Sequence, residues 1–182
     1  MFEGWQDYYL LVGSAAAALI GLLFVVVTLT AGLQTATAER GQRFYMTPIV
    51  FQLAAVLVLS GLAMAPDLSA GAVALLVAGI ALVAATYKGW IAWSFARDQV
   101  IHVPHWSDKW CYGFLPFGFS LLLAAVAAGF WFECDAAKLG LALLTLASLL
   151  LAIRNAWDLV TWIAPRAGTS LDTENPHDTQ AE

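Results

Sequence analysis

Charged side chains are scarce in this chain: Asp, Glu, Lys and Arg together make up only 12 % of its 182 residues, about half the share of an ordinary soluble domain. Cysteine is scarce too. Cys111 and Cys134 stand at opposite ends of one apolar segment, roughly 35 Å apart if that segment is helical, so they cannot pair with each other. These scarcities argue against a separate soluble domain and against a scaffold held together by disulfides within the chain.

Sequence motifs of common enzyme and cofactor sites are also missing. There is no GxSxG motif, no Ser or Cys with a His close by in sequence, no CxxC or HExxH, and no Gly-rich phosphate loop. No histidine lies in the middle of an apolar segment, which disfavours haem ligation. Acidic residues gather in the C-terminal tail, so the charge pattern gives no support to nucleic-acid binding. We expect no catalytic residue and no cofactor.

Long hydrophobic runs are what the chain has in abundance, since 61 % of its residues are hydrophobic. Each run exceeds the roughly 20 helical residues that cross a hydrocarbon core. The sequence therefore predicts an all-α polytopic membrane protein, a compact bundle of five transmembrane helices in contact with the lipid bilayer. The predicted spans are residues 8–33, 44–66, 69–95, 110–133 and 136–164.

The basic residues predict the orientation of this bundle. With the N-terminus outside and the C-terminus in the cytoplasm, Lys138 alone falls on the outer side. The other seven fall toward the inner side, as the positive-inside rule requires. These seven are Arg40, Arg43, Lys88, Arg97, Lys109, Arg154 and Arg166. The domain prediction is a transmembrane domain over residues 1–165 and a disordered acidic tail over 166–182, because the tail has no aromatic residue and little to bury.

Three charged residues lie within the apolar spans, where charge is costly and often functional. Arg154 and Asp158 are one helical turn apart, and Lys88 is predicted at a similar depth on a helix of the same direction. A polar pocket open to the cytoplasm is one interpretation; its candidate residues are Lys88, Arg154, Asn155, Asp158, Gln52 and Thr47. The alternative is an interfacial ion pair beside a lysine anchor whose ammonium reaches the headgroups.

Three further patterns concern a loop, one helix face and the ends of the spans. His102, His105 and Asp108 recur at every third position of a loop and are weak candidates for metal ligands, although a water-exposed loop explains them as well. Gly13, Ala17 and Gly21 form a small-residue stripe that predicts close helix packing, within the bundle or in a homo-oligomer. The eight tryptophans cluster near the span ends and predict interfacial belts.

Several runs resemble a group of small, uncharacterised bacterial inner-membrane proteins with multiple spans. They include residues 8–33, the segment that begins FYMTPIVFQLAAVLVLSGLAMAP, and the runs HWSDKWCYGFLP and RNAWDLVTWIAP. The similarity covers nearly the whole chain except the tail. It implies a bacterial inner-membrane location and carries over no activity and no functional residue.

Three function hypotheses follow. The first is a non-catalytic accessory or scaffold subunit of a membrane assembly, with a homo-oligomer or another membrane subunit as partner. The second is a small channel or transporter whose charged pocket faces the cytoplasm, for instance for an anion. The third is a membrane enzyme that acts on a lipid or a quinone.

Overall fold

The fold is described here from a computed structural model, which covers residues 2–30, 36–96 and 109–173 and the side chains of residues 2–28, 46–93 and 110–161. Over these ranges the chain is helical and contains no β-strand. A π-helical segment, Lys109–Phe114, leads directly into the fourth α-helix. The α-helices are α1 (Gln6–Thr30), α2 (Ala36–Met64), α3 (Ala70–Ala96), α4 (Leu115–Trp131) and α5 (Ala136–Thr173).

Five stretches within these helices are long and apolar enough to cross a membrane. They correspond one to one with the predicted spans, so the prediction of an all-α chain with five such helices is confirmed. The stretches are Gln6–Thr28, Met46–Met64, Ala70–Trp93, Trp110–Trp131 and Ala136–Thr161. The fourth contains all of the π-helical segment except Lys109, as well as α4.

Two short turns join consecutive helices into antiparallel hairpins, as expected from the two-residue gaps 67–68 and 134–135 between the predicted spans. Asp67 in the α2–α3 turn and Glu133 in the α4–α5 turn both adopt a positive φ, near 55°. Asp tolerates this left-handed conformation better than most side chains because it can hydrogen-bond locally. Ser69 caps α3, since its Oγ accepts a hydrogen bond from the backbone N–H of Ala72 at 3.2 Å.

The helices pack as two close pairs, α1 with α2 and α3 with α4, and α5 packs against α2, α4 and α1. One apolar cluster, which includes Phe2, Ala63 and Phe130, lies at the end of the bundle that carries the two short turns. We call this end the turn end. A second cluster, which includes Leu23 and Tyr112, lies at the opposite end, which we call the loop end.

Much of the outer surface of the bundle is apolar. Large side chains on several helices point outward, among them Leu11, Leu82 and Leu150, each more than half exposed. Five tryptophans near the ends of the apolar stretches also point outward, whereas Trp5 packs against the turn-end cluster. The five are Trp90, Trp93, Trp110, Trp131 and Trp157. This placement fits interfacial belts, which need the indole at the surface of the bundle. The side chains of Trp106 and Trp162 lie outside the described residues.

The last helix is longer than the sequence predicts. α5 continues to Thr173, past residue 164 where the fifth span was expected to end and into the segment 166–182 assigned to the tail. Ala167 and Leu171 in this part of the chain are compatible with helix. Residues 174–182 lie outside the described residues, so the prediction of a disordered tail stays a prediction there.

Candidate functional site

Lys88 lies in the interior of the bundle. It stands eight residues before the end of α3, about 12 Å along the helix axis, and its side chain faces the neighbouring helices because it shares a helix face with Ile80 and Ala84. Only 6 % of the residue is exposed. It forms no hydrogen bond and no ion pair with any residue that the structure describes.

A small cavity of about 30 Å³ lies beside Lys88 where four helices meet. This volume holds about one or two water molecules and is far too small for a lipid headgroup or a quinone. None of the residues that line it is acidic. They are Gln52, Ala55, Val56 and Leu59 from α2, Ile80, Ala84 and Lys88 from α3, Phe119, Ser120 and Leu123 from α4, and Leu144 and Ser148 from α5.

The cavity is polar on one side and apolar on the other. On each helix the polar lining residue lies nearer to the loop end than its apolar neighbours: Gln52 before Leu59, and Lys88 beyond Ile80. Ser148 likewise lies nearer to the loop end than Leu144, and Ser120 nearer than Leu123, while Phe119 adjoins Ser120. The cavity is therefore closed by leucine and isoleucine on the side that faces the turn end, and its polar groups lie on the side that faces the loop end.

Hydrogen bonds hold the polar groups in place. Gln52 is buried, and its Nε2 donates to the backbone carbonyl of Ser148 at 2.8 Å, which ties α2 to α5. Ser120 is also buried, and its Oγ donates to the carbonyl of Pro116 one turn earlier, at 3.0 Å. Lys88 therefore faces a set of fixed dipoles without a counter-charge among the described residues.

Arg154 and Asp158 pair with each other as predicted, at 3.1 Å between Nη2 and Oδ2. Each side chain is 41 % exposed, and neither lines the cavity. This corrects the prediction of a single cluster of three charges inside the bundle. The pair lies near the end of the fifth apolar stretch, Thr161, and matches the alternative of an interfacial ion pair, whereas the burial of Lys88 matches the pocket interpretation.

Because the Arg154–Asp158 ion pair is half-exposed, breaking it should lower the free energy of unfolding only slightly. We expect Asp158→Asn, alone or combined with Arg154→Gln, to change the free energy of unfolding by no more than about 1 kcal/mol, because both partners remain partly solvated. Thermal melts of the purified chain in detergent measure this. A loss of about 3–5 kcal/mol in Asp158→Asn that the double variant recovers would instead indicate a desolvated pair.

Asn155 connects α5 to the π-helical segment and does not line the cavity. Its Nδ2 donates to the carbonyl of Cys111 at 3.0 Å, and Tyr112 Oη donates to the carbonyl of Asn155 at 2.8 Å. Its Oδ1 accepts a hydrogen bond from Arg154. A π-helical turn shifts the backbone pairing and leaves carbonyls available, which explains why a buried amide is needed here. Asn155 therefore ties α5 to the π-helical segment.

The remaining candidates are not part of the cavity. Thr47 is exposed. His102, His105 and Asp108 lie outside the described residues, and no group of metal-ligating side chains occurs within them. Of the small-residue stripe, Gly13 packs closely against Ser60 of α2, whereas Ala17 and Gly21 are exposed.

Ser120 and Ser148 are cavity residues that the sequence interpretation missed. Serine is common in apolar helices, where it satisfies its hydroxyl by bonding to its own backbone. Their position along the bundle axis could have indicated them, because the antiparallel arrangement of the helices places both serines at nearly the same depth as Lys88 and Gln52.

Comparison of the chain with protein-family models, with curated proteins and with solved structures finds no match. The functional assignment therefore depends on the geometry of the cavity alone.

Proposed function

We propose that this chain is a small channel or transporter of the bacterial inner membrane, and that the polar cavity at Lys88 lies on the path of its solute. The observation that supports this most strongly is the burial of Lys88 without a counter-charge among the described residues. An ionisable group inside an apolar bundle is costly and is usually retained for function.

Insertion into a bilayer is part of the proposal. A soluble monomer rarely exposes large contiguous apolar patches, yet at most 44 % of any of the five apolar stretches is buried inside the bundle. Acyl chains would cover the rest. The outward tryptophans support the same arrangement.

The orientation that we propose has the N-terminus outside and the loop end in the cytoplasm, because seven basic residues then lie toward the inner side. A fluorescent protein fused to the C-terminus should fluoresce, and alkaline phosphatase fused there should be inactive. An active phosphatase fusion would invert the orientation and place the polar side of the cavity toward the outside.

In the proposed channel or transporter, the apolar side of the cavity would act as the gate. Leu59 and Leu123 line the cavity and also belong to the apolar cluster of the turn end, so this conformation is closed toward that end. Hydrophobic constrictions of this kind exclude water and ions until the helices move. The described conformation is therefore closed toward the turn end.

Flux measurements in proteoliposomes test the proposal. Vesicles containing the wild-type chain should release chloride or protons, followed with an electrode and a pH-sensitive dye, faster than empty vesicles. Lys88→Met should remove most of this flux, and Lys138→Met, which removes the same charge at the opposite end of the bundle, should leave it unchanged. Fluxes of both ions equal to those of empty vesicles would refute a transport function.

A second observation favours the accessory-subunit hypothesis. A groove of about 220 Å³ lies between α1 and α2, lined by small residues that include Gly13, Ala17 and Gly61. Tyr9 Oη and Ser60 Oγ are buried at this groove without a hydrogen bond to any described residue. Co-purification of a stoichiometric membrane subunit, lost in Ala17→Phe, would support this function in place of transport.

A further inference from the structure

We infer that the cavity at Lys88 binds a monovalent anion of halide size. The inference rests on the proposed site and names the class of solute that the site selects. It follows from the charge of the cavity, its hydrogen-bond donors and its volume.

The charge of the cavity predicts the charge of the ligand. Lys88 supplies a positive charge, and no carboxylate lines the cavity. The nearest acidic side chain along α5, Asp158, is already paired with Arg154 and half-exposed. A cation would meet uncompensated repulsion here, whereas an anion would supply the missing counter-charge and offset the desolvation of the ammonium.

Hydrogen-bond donors are available around the ammonium. The Nε2 of Gln52 carries two hydrogens, and only one is used by the carbonyl of Ser148. The assignment of nitrogen to this position follows from its acceptor partner, since a carbonyl cannot bond to the amide oxygen. The three donors of the Lys88 ammonium and the free N–H of Gln52 can therefore replace part of the hydration shell of an anion.

Volume gives the size of the ligand. A cavity of about 30 Å³ accepts an ion comparable to one or two water molecules. Chloride and bromide meet this limit. Carboxylate metabolites and phosphate esters exceed it, and the apolar side formed by Leu59 and Ile80 would leave their additional oxygens unpaired.

Thermal melts at constant ionic strength test the inference. The purified full-length chain is melted in detergent while chloride or bromide replaces gluconate, an anion too large for the cavity. Because a ligand of the native state stabilises it by mass action, the Tm of the wild-type chain should rise saturably with halide. Lys88→Met and Lys88→Gln should weaken the apparent Kd at least about tenfold, while Lys138→Met should match the wild type.

The outcomes separate this inference from the proposed function. A wild-type Tm that does not change with halide would overturn the anion site. A halide response of both Lys88 variants equal to that of the wild type would also overturn it. Halide binding without flux would refute transport and leave the anion site standing. Proton flux that depends on Lys88 without any halide response would refute the anion site and leave the transport function standing. It would identify Lys88 as a proton carrier.

Discussion

Lys88→Met is expected to make the protein more stable while it removes the halide response. In gluconate, where no small anion fills the cavity, the buried ammonium has no counter-charge among the described residues. Replacing buried ionic groups by apolar ones of similar volume is often stabilising, by about 1–4 kcal/mol. Methionine resembles the lysine stem in length and flexibility, so it should fill the same space.

Thermal or denaturant melts of the two chains in gluconate measure this gain. Lys138→Met is the matched control, because Lys138 is partly exposed and pairs with an almost fully exposed Asp135 at 2.9 Å. Its substitution should change the free energy of unfolding by at most about 1 kcal/mol. Clear destabilisation by Lys88→Met, with the control silent, would mean that the ammonium is already compensated within the native bundle.

Gly13→Leu is expected to destabilise the pairing of α1 with α2 strongly. A Cβ added at Gly13 would lie 3.0 Å from Ser60 Cβ, a closer contact than nine in ten real Cβ contacts. A leucine there must push the two helices apart, and such overpacking typically costs about 1–3 kcal/mol or more. The melting temperature of the purified chain should fall accordingly.

Gly21→Leu separates this packing cost from other effects of the substitution. Gly21 lies two turns further along the same helix, and nothing that the structure describes comes within 4 Å of a Cβ added there. Both substitutions gain similar helix propensity, about 1 kcal/mol. Equal stability changes at the two sites would contradict the close contact of Gly13 with α2.

Part of the fold could be predicted from the sequence alone. The five spans and both hairpin turns could be predicted, because length and apolarity determine them. The relative depth of Lys88 and Arg154 could be predicted only in part, because Lys88 lies at the level of Ser148, six residues before Arg154 on α5. The rotation of each helix about its axis could not, because these helices are apolar on every face and lack the periodic polar stripe that marks a solvent side.

Two differences between prediction and structure have this single cause. On α1 the buried seam runs through Tyr9, Val12 and Ala16 rather than along the predicted small-residue stripe, which meets it only at Gly13. On α5 the same uncertainty of rotation let Arg154 and Asp158 be placed in the pocket, whereas they lie at the surface.

The most direct test of an anion site at Lys88 is crystallographic. Crystals of the full chain grown in bromide should show an anomalous difference peak in contact with Lys88 Nζ and the side-chain amide of Gln52, and the peak should be absent from Lys88→Met crystals. A cavity that holds only water in the wild-type protein, with bromide confined to the outer surface, would contradict the account.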